Sequence, residues 1–127
     1  MDLLLDTHAL IWFLNGDKKL SIKVRQEIES PENSKIVSIG SIWEIAIKMS
    51  LDKFRFPKGF KYFFSMVEKN GFELLPITFE HTIVLSTLEF IHRDPFDRLL
   101  ISQCIADKLT IVTKDENIKR YDIQTIW

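Results

Sequence analysis

Hydrophobic positions in this chain fall into short solid runs separated by stretches with helical spacing. Leu3, Leu4 and Leu5 form the first run. With no polar alternation, it predicts a strand buried on both faces, as in the middle of a parallel sheet. Asp6 stands where that strand should end. The apolar run Ala9 to Leu14, closed by Asn15-Gly16, reads as a helix with its C-terminal stop. Leu20, Val24 and Ile28 then recur at spacing four through a charged stretch closed by Pro31, predicting an amphipathic surface helix over residues 20–30. Lys35 to Ser38 predicts a second, short strand. Gly40-Ser41 opens a helix whose apolar stripe is Ile42, Ile45, Ala46 and Met49, with Glu44 in its first turn.

From Phe54 to Phe64 there are six aromatics interleaved with Arg55, Lys58 and Lys61. Phe60, Phe63, Phe64 and Val67 match a helical face that ends at Gly71. These rings exceed what one helix needs for its core face, so two readings stand for the surplus: core packing or a partner groove. Phe72 to Ile77 predicts a third strand. Thr78 caps a helix running to about Ile91, with Phe79, Ile83 and Phe90 facing the core. Asp94 as N-cap and Pro95 at the first helical position start the next helix, which Phe96, Leu99, Leu100, Ile101, Cys104 and Ile105 make apolar almost all round and therefore buried. Leu109 to Val112 is a fourth strand, followed by a short polar helix to Tyr121 and a last strand, Ile123 to Trp127. Strands and helices alternate throughout, which predicts an α/β fold: a three-layer α/β/α arrangement with a central parallel sheet of four to five strands.

Length and charge narrow the class. A chain of 127 residues, 46% hydrophobic, is expected to form a single domain, residues 1–127. Seventeen Lys plus Arg against eighteen Asp plus Glu give a net charge of −1, so no overall field draws it to a polyanion, and such a partner must be met by a local patch. The single cysteine, Cys104, lies in an apolar helical run, where burial is its expected role. No apolar run approaches the ~18 residues that span a bilayer and the N-terminus carries no basic leader, so a cytoplasmic, membrane-free protein is expected.

The acids carry the candidate chemistry. Asp6, Glu44, Asp94 with Asp97, and Asp115 each fall at a strand end or in the first turn of a helix. In a parallel sheet these positions share one rim, because every crossover returns the chain to the same side. Each acid taken alone also fits a cap: Ser41-Ile42-Trp43-Glu44 matches a capping box, Asp94 an N-cap, and Asp97 suits the helix dipole. Together they form an all-oxygen cluster without cysteine, which suits a hard cation such as Mg²⁺ or Mn²⁺ and so phosphate chemistry. Lys48, Arg93, Arg98 and Lys114 flank the rim as candidates to hold a nucleic-acid backbone. His8 and His92 lie beside the acids and read as local hydrogen-bonders.

At this point LLLDTHALIW, SIWEIAIK, HRDPFDRLLISQ and TKDENIKRY together resemble the PIN domain, in its branch of toxins of VapC type, over nearly the whole chain. HRDPFDRLLISQ is the most specific of the four. The resemblance implies a Mg²⁺-dependent endoribonuclease with Asp6, Glu44, Asp97 and Asp115 catalytic. Asp6, Asp97 and Asp115 would ligate the metal, with Glu44 and Asp94 as further candidates. Thr113 matches the family's polar residue beside the last acid, and Thr7, Thr113, Lys48 and Arg98 are candidates for substrate binding. A small inhibitory antitoxin and a toxin homodimer are implied as partners, with RNA as substrate. Two rivals are weighed. A phospho-acceptor receiver wants an acidic pair after its first strand, whereas Asp6 is followed by Thr7 and His8. A catalytically silent PIN-like module binding RNA or protein is disfavoured by the intact acids.

Overall fold

A computed structural model describes residues 1–127. Five strands, β1 (Asp2–Leu5), β2 (Ser34–Ser38), β3 (Glu73–Leu75), β4 (Thr110–Val112) and β5 (Thr125–Ile126), form one sheet in the order β3-β2-β1-β4-β5. Every pairing is parallel. Six helices cover it: α1 (Thr7–Asn15), α2 (Ile22–Glu29), α3 (Ile39–Ser50), α4 (Gly59–Lys69), α5 (Phe79–Ser86) and α6 (Pro95–Asp107). The solid leucine run has the expected cause. Leu3 and Leu5 point into one core with Phe13, Val24, Ile28, Ile45, Phe63 and Val67, while Leu4 points into a second with Leu100, Ile101, Cys104 and Ile111. Side-chain alternation along β1 thus feeds two layers at once. None of the helices is long and apolar enough to cross a membrane.

Strand order reverses at β1, which has β2 on one side and β4 on the other. Such a switch point opens a crevice at the carboxyl ends of the strands. Gly40 lets α3 and α6 approach there, since a Cβ at that position would lie 2.5 Å from Leu99 Cδ2.

Five details differ from the expectation. Ser41 is not a helix cap: α3 starts earlier, with Ser38 Oγ accepting from the Gly40 amide, and this puts Glu44 past the first turn and Ser41 inside the helix, 1% exposed. The third strand is only Glu73–Leu75, and α5 stops at Ser86, where the Thr87 and Leu88 amides turn to the carbonyls three residues back, after which the carbonyls of Leu88 and Glu89 accept from the Arg98 guanidinium. Phe79, Ile83 and Phe90 are 75%, 51% and 70% exposed, not core. The face α5 turns inward is that of His81, whose side chain completes a capping box with Thr78 and bonds Asp107; Phe79 and Ile83 lie on the opposite side of the same helix. The expected polar helix before Tyr121 is one 3₁₀ turn, Ile118–Arg120. As for the aromatic stretch, Phe56 and Phe63 are buried, and Phe54, Phe60, Tyr62 and Phe64 pack against the same core.

Candidate active site

The rim at the switch point is built from three strand ends and one helix start. Asp6 follows β1 and caps α1, its Oδ1 accepting from the Ala9 amide at 2.7 Å. Its Oδ2 accepts from Thr113 Oγ1 at 2.6 Å, a bond across 107 residues made because β1 and β4 are neighbours. Glu44, on α3 after β2, accepts from Thr7 Oγ1 at 2.7 Å and from Lys48 Nζ at 2.9 Å. Thr7 Oγ1 also lies 3.1 Å from Ser41 Oγ. Asp94 and Asp97 open α6: Asp94 Oδ1 accepts from the Phe96 and Asp97 amides. Asp115 follows β4 and accepts from the amides of Asn117 and Ile118, while its own amide donates to Thr113 Oγ1.

These elements bring Asp6, Glu44, Asp94, Asp97 and Asp115 around one chamber of about 80 Å³, which Thr7, His8 and Lys48 complete and no hydrophobic side chain lines. The capping and clustering readings both describe the same groups, since Asp6, Asp94 and Asp115 cap with one oxygen while standing on the chamber wall. Charge is stored there. Burial pushes the Asp6 carboxyl above its ordinary range, against the lowering by its bonds to Thr113 and Ala9. Burial pushes Asp97 up to about 6, and the neighbouring charges of Asp94 and Asp115 add to this while the bond to His92 opposes it.

His92 is more than a loop hydrogen-bonder. Its Nε2 lies 3.1 Å from Asp97 Oδ2 and its Nδ1 2.9 Å from the Tyr121 hydroxyl. That hydroxyl already accepts from Arg98 Nη1 at 3.0 Å and from the His92 amide at 3.3 Å, so its proton is directed at Nδ1. Imidazole Nε2 then carries the hydrogen and donates to Asp97, which assigns the tautomer from the network. Arg98, expected on the rim to hold substrate, is 9% exposed and fully engaged with Tyr121 and the carbonyls of Leu88 and Glu89. It buttresses this relay from behind, and the substrate-binding expectation for Arg98 is withdrawn on that geometry. In the sequence Tyr121 marks only the end of a short helix and Ser41 only a cap, and neither residue type signals a place at the site. Cys104 is 3% exposed, and burial pushes its thiol up to about 12, so it is inert.

No three His, Cys, Asp or Glu side chains close around one point at ligating distance. Each acid is instead held back on the wall by the bonds just described. Mg²⁺ dehydrates reluctantly and is usually held by one or two carboxylates plus several waters, so it needs no ready-made cage, and the all-polar, carboxylate-rich lining of the chamber has the donor chemistry it takes. The residues present fit the ion.

Comparison with known proteins identifies the family and the fold. The family model for the PIN domain matches residues 3–124, and the chain belongs to that family, whose members are in general nucleases. In fold it is similar to VapBC2 from Rickettsia felis bound to a DNA fragment from its promoter, at 17% identity with a TM-score of 0.75 over 99% of this chain and 98% of that one. VapBC-1 from nontypeable Haemophilus influenzae matches at 16% identity and a TM-score of 0.71 over 99% and 97%. The PIN domain endonuclease Utp24 matches at 16% identity and a TM-score of 0.56 over 94% and 74%. Curated protein sequences yield no match.

Proposed function

We propose that the chain is a single-domain, Mg²⁺-dependent endoribonuclease of VapC type, acting in the cytoplasm as the toxin of a toxin–antitoxin pair. The observation that carries the proposal is the chamber itself, with five carboxylates and no apolar lining, at the switch point of a PIN fold. The fold likeness to VapBC proteins supports the toxin assignment, and the endonuclease among the neighbours supports the chemistry.

Asp6, Asp97 and Asp115 would hold Mg²⁺, or Mn²⁺ in its place, directly or through water, with Asp94 close enough to assist. When bound, the ion supplies a lowered pKa for water and neutralises charge growing on the phosphate during in-line displacement. Glu44 orients and deprotonates the attacking water. Thr7 and Lys48 fix its two oxygens, so the carboxylate is aimed before substrate arrives. Thr113 does the same for Asp6. Lys48, 42% exposed at its side chain, is also placed to meet a phosphate.

An inhibitory antitoxin would insert a cationic side chain, most simply arginine, among the acids, since a bidentate guanidinium replaces the charge of the metal. The exposed face carrying Phe79 and Ile83 is the apolar surface that supports homodimerisation. Cleavage of RNA in Mg²⁺ or Mn²⁺, abolished by EDTA, is the expected result. Cleavage indifferent to EDTA, or RNA binding without cleavage in either metal, would overturn the metal-dependent reading in favour of other chemistry or a silent binding module.

A further inference from the structure

Next to the acid chamber lies a second cavity of about 190 Å³, lined by Asp6, His8, Trp12, Lys114 and Asp115. It shares Asp6, His8 and Asp115 with the chamber, so whatever occupies one lies against the other. Its wall is aromatic. His8 stacks on Trp12 with ring centroids 5.6 Å apart and planes 29° from parallel. Trp12 is held in turn, with Trp127 edge-on at 5.8 Å and Lys19 Nζ 5.7 Å from its ring centroid. The stack is therefore fixed from behind, while His8 itself is exposed.

We infer that this cavity is a nucleobase subsite: the base of a nucleotide flanking the cleaved phosphate stacks against His8 and Trp12, with its backbone near Lys114. The inference rests on the ribonuclease proposal and adds to it the form of the substrate. Bases in a duplex stack on one another, and a planar ring enters this cavity only from a strand whose bases are splayed, so single-stranded segments or loops are selected. Three features favour a base over a protein side chain as occupant. The wall is a preorganised π-stack, such stacking tolerates every base, and one lysine stands beside two carboxylates that a bound cation would neutralise. His8 and Trp12 come from the first two turns of α1, directly after Asp6, so the platform and the first acid share one rigid element.

The test is a coupling cycle between protein and substrate. A short single-stranded RNA with one mapped cleavage site is prepared with an abasic nucleotide at each position flanking the cut, one at a time. Against these, the wild type is compared with His8→Ala and Trp12→Ala, and with Trp12→Phe as the conservative variant. Losing one stacked base is expected to raise KM about tenfold for the wild type at one flanking position. Each alanine variant should raise KM on the intact RNA by a similar factor with kcat within about threefold, and the same abasic position should then cost it little more. Trp12→Phe should restore most of the loss. His8→Ala keeps the cycle interpretable if Trp12→Ala weakens folding, because His8 is exposed. Additive effects at every position, or unchanged KM with lost binding of a protein partner, would overturn the subsite while leaving the nuclease standing. If the wild type does not cleave, the ribonuclease proposal fails by itself. The same cycle read as Kd by fluorescence anisotropy in Mg²⁺ then decides the subsite: coupling at one position supports it, and its absence overturns it.

Discussion

His81 and His92 each direct Nε2 at an aspartate, at 2.9 Å to Asp107 and 3.1 Å to Asp97, and each has Nδ1 occupied from the other side, by the Thr78 amide in one case and the Tyr121 hydroxyl in the other. The surroundings separate them. Around His81 the pair closes the joint between α5 and α6, and it lies outside the acid chamber. Around His92 the aspartate stands among Asp6, Glu44, Asp94 and Asp115. One joint spends its polar groups on holding two helices together. The other crowds carboxylates together, and burial, with repulsion from Asp94 and Asp115 added to it, shows in Asp97 pushed up to about 6. The same pair of residue types is thus a fastener in one place and part of a charged chamber in the other, and what distinguishes them is the uncompensated charge nearby.

The largest expected effect breaks the comparison at its active side. Asp6→Asn or Asp97→Asn keeps size and removes a charge from the chamber, and should lower RNA cleavage by two or more orders of magnitude, roughly 2.7 kcal/mol of barrier. Asp107→Asn should leave the rate within about threefold, under ~1 kcal/mol. Single-turnover cleavage at saturating Mg²⁺ reads both, and similar rates for all three variants would reduce the chamber acids to caps.

The acid rim in that contrast is legible in the sequence while the roles of the two histidines are not, and the reason is local. Strand ends and helix starts are marked by short-range signals: Leu3 to Leu5 then Asp6, Asp94-Pro95, Thr113 to Asp115. A parallel sheet converts such junctions into one rim by topology alone. Side-chain direction beyond one turn was not legible. Phe79, Ile83 and Phe90 look like a core stripe because hydrophobicity is read without knowing which face packs; the residue that decides the face of α5 is His81, through a partner 26 residues away. Arg98 looked like a rim cation for the same reason. Its partners are backbone carbonyls at Leu88 and Glu89, which no residue type announces. Among the aromatics of residues 54–64, Phe56 and Phe63 fill a core that only the folded helix α4 defines, and Phe54, Phe60, Tyr62 and Phe64 pack against it partly buried.

The second effect is on stability and should have opposite signs in the two regions. Asp107→Ala leaves the buried Nε2–H of His81 without a partner, and should destabilise by about 1 kcal/mol after allowing for relief of an acid at a helix C-terminus. Asp97→Asn can still accept from His92 and removes the repelled charge, so the metal-free protein should melt higher near neutral pH. Asp97 keeps its proton up to about pH 6 when folded, against an ordinary value of 3.8. The folded state therefore binds that proton more tightly than the unfolded chain does. In EDTA the wild type should be most stable below about pH 4 with respect to this group and lose stability as pH rises toward 6, and Asp97→Asn should flatten the decline. Mg²⁺ should stabilise the wild type more than the variant by binding the folded state. Thermal melts across pH 4 to 8 in EDTA and in Mg²⁺ check this, and a lower melting temperature for Asp97→Asn in EDTA would defeat the claim of stored repulsion.

The smallest effect sharpens the comparison to a single hydroxyl. Tyr121 sits between Arg98 and His92 and donates its O–H to Nδ1, which is what leaves Nε2–H facing Asp97. Tyr121→Phe keeps the buried ring and removes the hydroxyl, both the donor to Nδ1 and the acceptor for Arg98 Nη1 and the His92 amide. Arg98 retains its two carbonyl partners, so the fold should lose no more than about 1 kcal/mol. His92 should then populate both tautomers, and with Nδ1–H present Nε2 turns a lone pair toward the Asp97 carboxylate, which weakens the contact and frees the carboxylate to rotate. Ring ¹⁵N shifts of His92 report this without metal or turnover, and cleavage should fall about threefold, near 0.7 kcal/mol, mainly in kcat. His81 supplies the internal control, because the Thr78 amide fixes its tautomer and the substitution lies outside its contacts. A His92 spectrum that stays Nε2–H in Tyr121→Phe would show that Asp97 alone dictates the tautomer, and that the relay from Arg98 contributes packing and nothing to the aim of the carboxylate.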